Sequence, residues 1–527
     1  MNRLITSVIC GLVGINTMLC ADPSRPKLVV GIVVDQLRTD YIEYLQNLFG
    51  ENGFKKLMKE GAFIKDVDFK VSGLDKVSGT AMVYTGGYPR HNGISAASTF
   101  DPESKEMKPA LFDPSIIGNF TTETYSPANL RISTISDEVA IDGAGVAAVY
   151  SIAPDPQQAI IMAGHAGNSA FWINDNTGKW ATTTYYKDAP ADLTQRNYSQ
   201  PITSRLDTMQ WRPVLPLSKY PGLPAQKRLA EFKHVFPTSD RSVYRMYLQS
   251  PMVNTEITDV AISYLKDLRL GTRGDAIDML NIGYTAAPYK YVNDGDFRLE
   301  LEDSYVRLDG QLSRLFEAID KYVGLGNTLV YVASTGYYDD AVEDAPQYRM
   351  PSGTFSVKRA LSLLNSYLAA KYGNGDYVDT YSKGHIYLDR KHIEEYKLDL
   401  DEVAESARDF LVRMSGVSDA FTMGDIMTSA LPSMEAMRLG TDPKTGGDIV
   451  LEFNAGWSIV DDTHFPNDIQ VARQSPVLSP AFLMGSGIAP TIIETPVDAT
   501  ALAPTVTQVL RIRSPNGSAS KPLSFGK

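Results

Sequence analysis

The stretch "KLVVGIVVDQLR", residues 27–38, decides the fold. Its apolar run from Leu28 to Val34 does not alternate as a half-exposed strand would. Such a run belongs to a strand buried on both faces, the situation in parallel sheets covered by helices. The run breaks at Asp35, which puts a carboxylate at the strand's C-terminal end, where ligands of open α/β sheets bind. Further buried strands are read at "GVAAVYSIA" (145–153), "AIDMLNIGY" (276–284) and "NTLVYVAST" (327–335), with "SPAFLMGSG" (479–487) as a late one. Helical spacing follows the first strand in "YIEYLQNLFGENGFKKLMKEGA" and precedes the fourth in "LELEDSYVRLDGQLSRLFEAIDKYV", which reads as a surface helix. A short helix, "ATALAPTVTQVLRI", closes the pattern. Strands alternating with helices predict an α/β fold with a doubly wound, mostly parallel sheet.

Two long segments interrupt this rhythm. Residues of about 165–240, with "AFWINDNTGKWATTTYY", have hairpin spacing; residues of about 340–450 hold the helix "SVKRALSLLNSYLAAKYG" and the strand "HIYLDR". Both are expected to be cap insertions in one domain spanning 22–527.

The chain has 527 residues, is 43% hydrophobic and 21% charged, and carries a formal net charge of −12. Without a basic stripe it offers nothing to nucleic acid. The first 21 residues, with Arg3, an apolar run and small residues before "DPS", have the pattern of a secretory signal cleaved after Ala21. A lipidated Cys20 is the weaker reading, because Thr-Met-Leu before it lacks the small residue such processing prefers. No later segment reaches the ~18 apolar residues that span a bilayer. An exported, periplasmic protein without a transmembrane segment is expected. Cys10 and Cys20 both lie in the leader, so the mature chain has no disulfide, thiolate nucleophile or Cys-ligated zinc. With six histidines in the whole chain, any metal site must rest on Asp, Glu and a few His.

The blocks "VVDQLRTDY", "GFKKLMKEGA", "YTGGYPRHNGI", "AGHAGNSAFW", "TGKWATTTYY", "SPMVNTEITDVA", "EDSYVRLDGQL", "GNTLVYVA", "SYLAAKYGNGDYV" and "SPNGSASKPL" follow one another along nearly the whole mature chain. In order and spacing they resemble the alkaline phosphatase superfamily, specifically its exported, Bacteroidetes-type alkaline phosphatases and the type I phosphodiesterase/nucleotide pyrophosphatase branch. The resemblance implies an alkaline-phosphatase-like fold. It also implies phosphate-ester hydrolysis by a Thr or Ser nucleophile with two zinc ions about 4 Å apart.

The residues that would carry this chemistry depart from the family's pattern. Asp35 matches the first-strand ligand. The nucleophile position, eight residues before Tyr84, holds Lys76; Gly79 and Ala81 support that register, and Ser72, Ser78 or Thr80 would need a shifted one. The family's Asp-x-x-x-His pair falls on Thr285 and Tyr289, and its Asp-His-Gly turn on Ser334-Thr335-Gly336. The phosphate-binding Asn becomes Ala97, and the Lys-x-Arg pair becomes Asp155-x-Gln157. Hydroxyls are poor zinc ligands beside carboxylate and imidazole. No metal or other cofactor is therefore expected, and an Asp35–Lys76 ion pair, aided by Ser334 and Thr335, is expected to fill the pocket. Asp339, Asp340, Asp461 and His464 are the candidates for a relocated metal site. Asp339 and Asp340 form one acidic pair, Asp461 and Asp462 another, and solvation is the ordinary explanation for both.

Of the other histidines, His165 is expected to be structural, and His91, His234, His385 and His392 to lie at the surface or in turns. Trp172 and Trp180 are expected to pack the cap. Two functions compete: a binding or scaffolding pseudoenzyme with an unknown ligand or protein partner, and a hydrolase of phosphate mono- or diesters with a rebuilt site. A subunit of an outer-membrane or secretion assembly is a third reading.

Overall fold

A computed structural model describes residues 25–187, 190–223, 230–292, 296–338, 351–461, 469–472 and 477–525. The expected leader, including Cys20 and the cleavage position, lies outside them. Among the described residues, no helix is long and apolar enough to cross a membrane.

The elements that build the site are β1 (Leu28–Asp35), α1 (Lys76–Thr85), β2 (Val149–Ala153), α2 (Pro156–Ala163), β3 (Ser169–Ile173), β4 (Trp180–Thr183), α3 (Met252–Asp267), β5 (Asp278–Thr285), α4 (Arg298–Tyr322), β6 (Thr328–Ser334) and β7 (Ala481–Gly485). They centre on a ten-stranded sheet in the order 491–493, 62–64, β7, β6, β1, β5, β2, β3, β4, 118–119. The strands from β6 through β3 are parallel, and β7 is antiparallel to β6. This is the doubly wound sheet expected from the sequence.

Strand β1 is buried along its whole length, as its unalternating apolar run requires. Leu28, Val30, Ile32 and Val34 point into one core, shared with Tyr284, Tyr305 and Phe482. Val29 and Val33 point into the other, shared with Met82, Tyr84 and Trp172. Gly31 occupies the strand's centre because a Cβ there would come within 2.7 Å of the Tyr84 and Tyr331 hydroxyls.

The segment expected as a first cap, about 165–240, opens with two strands of the main sheet. β3 pairs with β2, and the hairpin partner β4 pairs with β3 through Trp172↔Ala181. Trp172 and Trp180 are therefore fully buried against the central sheet. The later segment has a core of its own, with Phe355, Leu364, Leu388, Val403 and Leu451 among its members. It holds a four-stranded sheet and the helix Val357–Tyr372, which "SVKRALSLLNSYLAAKYG" predicts.

Helix α4 differs from the expected surface helix. Glu300, Glu302, Asp303 and Asp309 all point inward. Asp303 accepts from Trp211 Nε1 (2.6 Å), Tyr220 OH (2.7 Å) and the Val214 amide (2.7 Å). Glu302 accepts from the Leu223 amide (3.1 Å), and Asp309 from the amides of Gly50 (2.8 Å) and Phe54 (2.7 Å). These acids hold two loops against the sheet. A periodicity argument assigns charged positions to solvent and cannot foresee such partners.

Candidate active site

The ends of three neighbouring strands form the floor of a cleft. The register sets Asp35 beside Thr285 on one side, and Val34 beside Ser334 on the other. Thr335 Oγ1 donates to Asp35 Oδ1 (3.1 Å) and accepts from the Gln36 amide (3.3 Å). Ser334 Oγ accepts from the Gly336 amide (3.2 Å) and lies 3.2 Å from the Tyr338 hydroxyl. Thr285 Oγ1 accepts from the Ala287 amide (3.2 Å), and its backbone is gripped by Asn254 of α3 (2.8 and 3.0 Å). The hydroxyls at the lost-ligand positions thus tie down their own turns.

Tyr289 is elsewhere. It is buried in an aromatic cluster with Trp211 and His234, at centroid distances of 5.1 and 4.8 Å, and its hydroxyl has no hydrogen-bond partner.

Helix α1 supplies the ammonium of Lys76, which lines the cleft together with Lys290. Asp75 caps it, accepting from the amides of Val77 (3.0 Å) and Ser78 (2.9 Å), while Ser78 Oγ accepts from the Asp75 amide (2.9 Å). Lys76 is its first residue. The helix lies so close to the β6 turn that a Cβ on Gly79 would sit 1.9 Å from the Thr335 carbonyl oxygen.

Lys76 Nζ bonds Asp155 Oδ2 at 3.0 Å, with the two side chains 34% and 24% exposed. The expected Asp35–Lys76 pairing is corrected accordingly: Asp155 is the bonded partner, and Asp35 contributes a second negative charge. Burial favours the neutral amine, but Asp155 and Asp35 outweigh it and hold the Lys76 pKa above the ordinary lysine value. Asp155 also caps α2, accepting from the Gln158 amide (3.0 Å). Gln157 Nε2 donates to the Ala97 carbonyl (2.9 Å), whose residue donates its amide to Asp75 (2.6 Å).

The resulting cleft has a volume of about 440 Å³. It is also lined by Glu123, Tyr125, Asp175, Lys290 and Tyr337, none of which the sequence patterns single out. Glu123 accepts from Trp172 Nε1 (2.7 Å) and Thr121 Oγ1 (2.9 Å), and burial raises its pKa above the usual carboxylate value. No spacing rule connects "TTETY" to the strand ends; only the fold of the 118–125 loop brings Glu123 to them.

Two zinc ions would need several carboxylates and imidazoles converging at the strand ends. The residues there do not fit: at the expected ligand positions stand one carboxylate and three hydroxyls already bonded locally, with an ammonium facing them. Among the described residues, no group of three or more His, Asp and Glu is arranged to hold a metal. Asp339, Asp340 and His464 lie outside the described residues; Asp461 is half-buried after the strand Trp457–Val460.

The histidines divide. His165 bonds Asp137 (3.1 Å) and the Leu130 carbonyl (2.9 Å), in keeping with the expected structural part. His234 is not at the surface but bonds the buried Glu300 (2.7 Å). His385 is half-buried, desolvation lowers its pKa to about 4, and it accepts from the Gly447 amide (3.3 Å).

The doubly wound α/β fold, with its cleft at the strand ends, is that of the alkaline phosphatase superfamily. The chain matches the family described as "Type I phosphodiesterase / nucleotide pyrophosphatase" over residues 29–475, and it belongs to that family. It is 28% identical over 519 residues to alkaline phosphatase PafA of Elizabethkingia meningoseptica, covering 95% of this chain and 94% of that one. It is 27% identical over 518 residues to alkaline phosphatase PhoV of Synechococcus elongatus, covering 94% and 92%. The crystal structure of wild-type PafA superimposes with a TM-score of 0.83 over 95% of this chain and 99% of that one.

Proposed function

We propose that this member of a phosphatase and phosphodiesterase family acts as a binding protein, a pseudoenzyme that has given up zinc binding and phosphoryl transfer. The observation that carries this reading is the Lys76–Asp155 ion pair. An ammonium held cationic by Asp155 and Asp35 opposes two dications at the same spot, and a protonated amine is not a nucleophile. Asp35, Thr285, Ser334 and Thr335 then serve as a polar floor. In keeping with the expected leader, we further propose export to the periplasm.

Hydrolysis of phosphate mono- or diesters at a non-standard site is the second reading. The comparisons favour it, since PafA and PhoV both carry the name alkaline phosphatase and match over nearly their whole lengths. Asp35, Asp339, Asp340, Asp461 and His464 are the residues it would call on.

The deciding measurement is metal content of the purified chain, together with turnover of aryl phosphate mono- and diesters. The binding reading expects no stoichiometric zinc and no turnover above background. Stoichiometric zinc, with turnover lost on Asp35→Ala, would establish the hydrolase instead.

A further inference from the structure

The sequence contains four Asn-Gly steps: Asn52-Gly53, Asn92-Gly93, Asn374-Gly375 and Asn516-Gly517. An asparagine before glycine can modify itself, because without a Cβ the glycine amide nitrogen is open to close on the asparagine side chain. The fold restrains three of the four.

Asn92 is fully buried; its Nδ2 donates to the Gly87 carbonyl (2.8 Å) and its Oδ1 accepts from the Ile94 amide (2.8 Å). Asn516 is exposed, but its Oδ1 accepts from the Ser133 amide (2.9 Å) and from Ser133 Oγ (3.2 Å). Each of these side chains is committed to partners away from the amide that follows it. Asn52 is exposed, but Gly53 is buried against α4, where a Cβ would lie 2.1 Å from Asp309 Oδ1. Asp309 also grips the amides of Gly50 and Phe54 on either side. Its carboxylate opposes an anion forming on the Gly53 nitrogen.

Asn374 lacks all three restraints. It is exposed at the bend between the helix Val357–Tyr372 and the strand Val378–Ser382, and no described residue hydrogen-bonds its side chain. Gly375 is half-buried, and its close neighbour is an imidazole: a Cβ would lie 2.0 Å from His392 Nε2. Packing therefore keeps a glycine after Asn374. Asp376, the next acid along the chain, is engaged by Asn365 Nδ2 (3.1 Å). The flanks are anchored, with the Gly373 amide on the Ala369 carbonyl (3.0 Å), the Tyr377 amide on Asn365 Oδ1 (2.6 Å) and the Tyr377 hydroxyl on the Gly373 carbonyl (3.1 Å).

We propose that Asn374 is a self-modification site, where the folded chain deamidates to isoaspartate and aspartate. The Gly375 nitrogen gives its proton to hydroxide and attacks Cγ of Asn374. The N–Cγ bond forms, the Cγ–Nδ2 bond breaks, and Nδ2 leaves as ammonia with a proton from water. One water then opens the cyclic imide at either carbonyl, leaving a carboxylate and a backbone that runs through Cγ or through the original carbonyl carbon. The product puts a new negative charge, and in the isoaspartate form an extra backbone methylene, in a turn of the third core. This holds whichever reading of the cleft is right.

Peptide mass spectrometry of the full chain aged at mildly alkaline pH tests this, with isoaspartyl methyltransferase labelling to mark the isomer. Asn374 should deamidate at least about tenfold faster than Asn52, Asn92 or Asn516 in the same folded sample, because restraint away from the attack geometry slows ring closure. In urea the four steps should react at similar rates, showing that the fold sets the ranking. Asn374→Gln should remove most of the isoaspartate label from the folded chain, and the label in wild type should grow faster as pH rises. Asn374 left intact in the folded chain, any of the other three reacting as fast there, the same ranking kept in urea, or the label undiminished in Asn374→Gln overturns the proposal.

Discussion

Lys76 is a long, flexible cation at a helix N-terminus, where the backbone dipole favours negative charge. It is tolerated because Asp155 bonds it and Asp35 and Asp75 add to the negative field. Lys76→Met keeps the length and removes the charge. It should cost about 1–2 kcal/mol, between the values of exposed and buried pairs, because Asp155 keeps its capping bond to α2. Since the folded pKa of Lys76 lies above the ordinary 10.5, the pair's contribution is fully present below that pH. Chemical denaturation should therefore show a constant gap between wild type and Lys76→Met at neutral pH, closing only as pH rises past about 10.5.

The His165–Asp137 pair has a window that is easier to reach. The bond to Asp137 raises the histidine above 6.5, so its contribution is present at lower pH and is lost as pH rises through the folded value. Asp137 is held below 3.8: burial opposes its charge, but the bond to His165 and the amide donors prevail, so its contribution is lost as pH falls through the folded value. Stability relative to His165→Asn should be greatest between about pH 4 and 6.5 and decline on either side.

At the scale of elements, two helices fix the geometry of the cleft. The capping box at Asp75 sets where α1 begins and hence where Lys76 points. Asp75→Ala should destabilise by about 1–2 kcal/mol, read as a lowered denaturation midpoint. Gly79→Ala should cost more, about 1–3 kcal/mol, because the added methyl meets the Thr335 backbone rather than a side chain that can move. Helix α4 grips the 211–223 loop through Asp303. Asp303→Ala leaves the Trp211 and Tyr220 donors buried without an acceptor and removes the ion pair of Arg307, which keeps its bond to the Arg212 carbonyl (2.7 Å). A loss of about 3–5 kcal/mol is expected, detectable by urea unfolding.

Across the whole molecule, the stability is divided between cores. The two faces of the central sheet share β1, so they unfold together, whereas the third core uses residues within 355–459 alone. Hydrogen exchange should accordingly show two protection classes. Leu364→Ala, emptying a fully buried position of the third core, should lower protection there by about 2–4 kcal/mol and leave β1 unchanged.

The sequence by itself determined the sheet. An unbroken apolar run such as Leu28–Val34 has one stable environment, covered on both faces, and its polar break fixes where the cleft lies. It also determined that Thr285, Ser334 and Thr335 reach the strand ends, because residues just after parallel strands go nowhere else. Tertiary structure alone decided who meets whom there. Asp155 follows the parallel strand β2 and reaches the same edge by that rule, but its bond to Lys76 in place of Asp35, and the arrival of Glu123 on its loop, depend on packing and not on any local period. For the same reason Tyr289 left the cleft for an aromatic core, and the acids of α4 turned inward. Hydrophobic periodicity records burial of apolar surface, and it carries no record of which amides, indoles and cations wait on the far side of the contact.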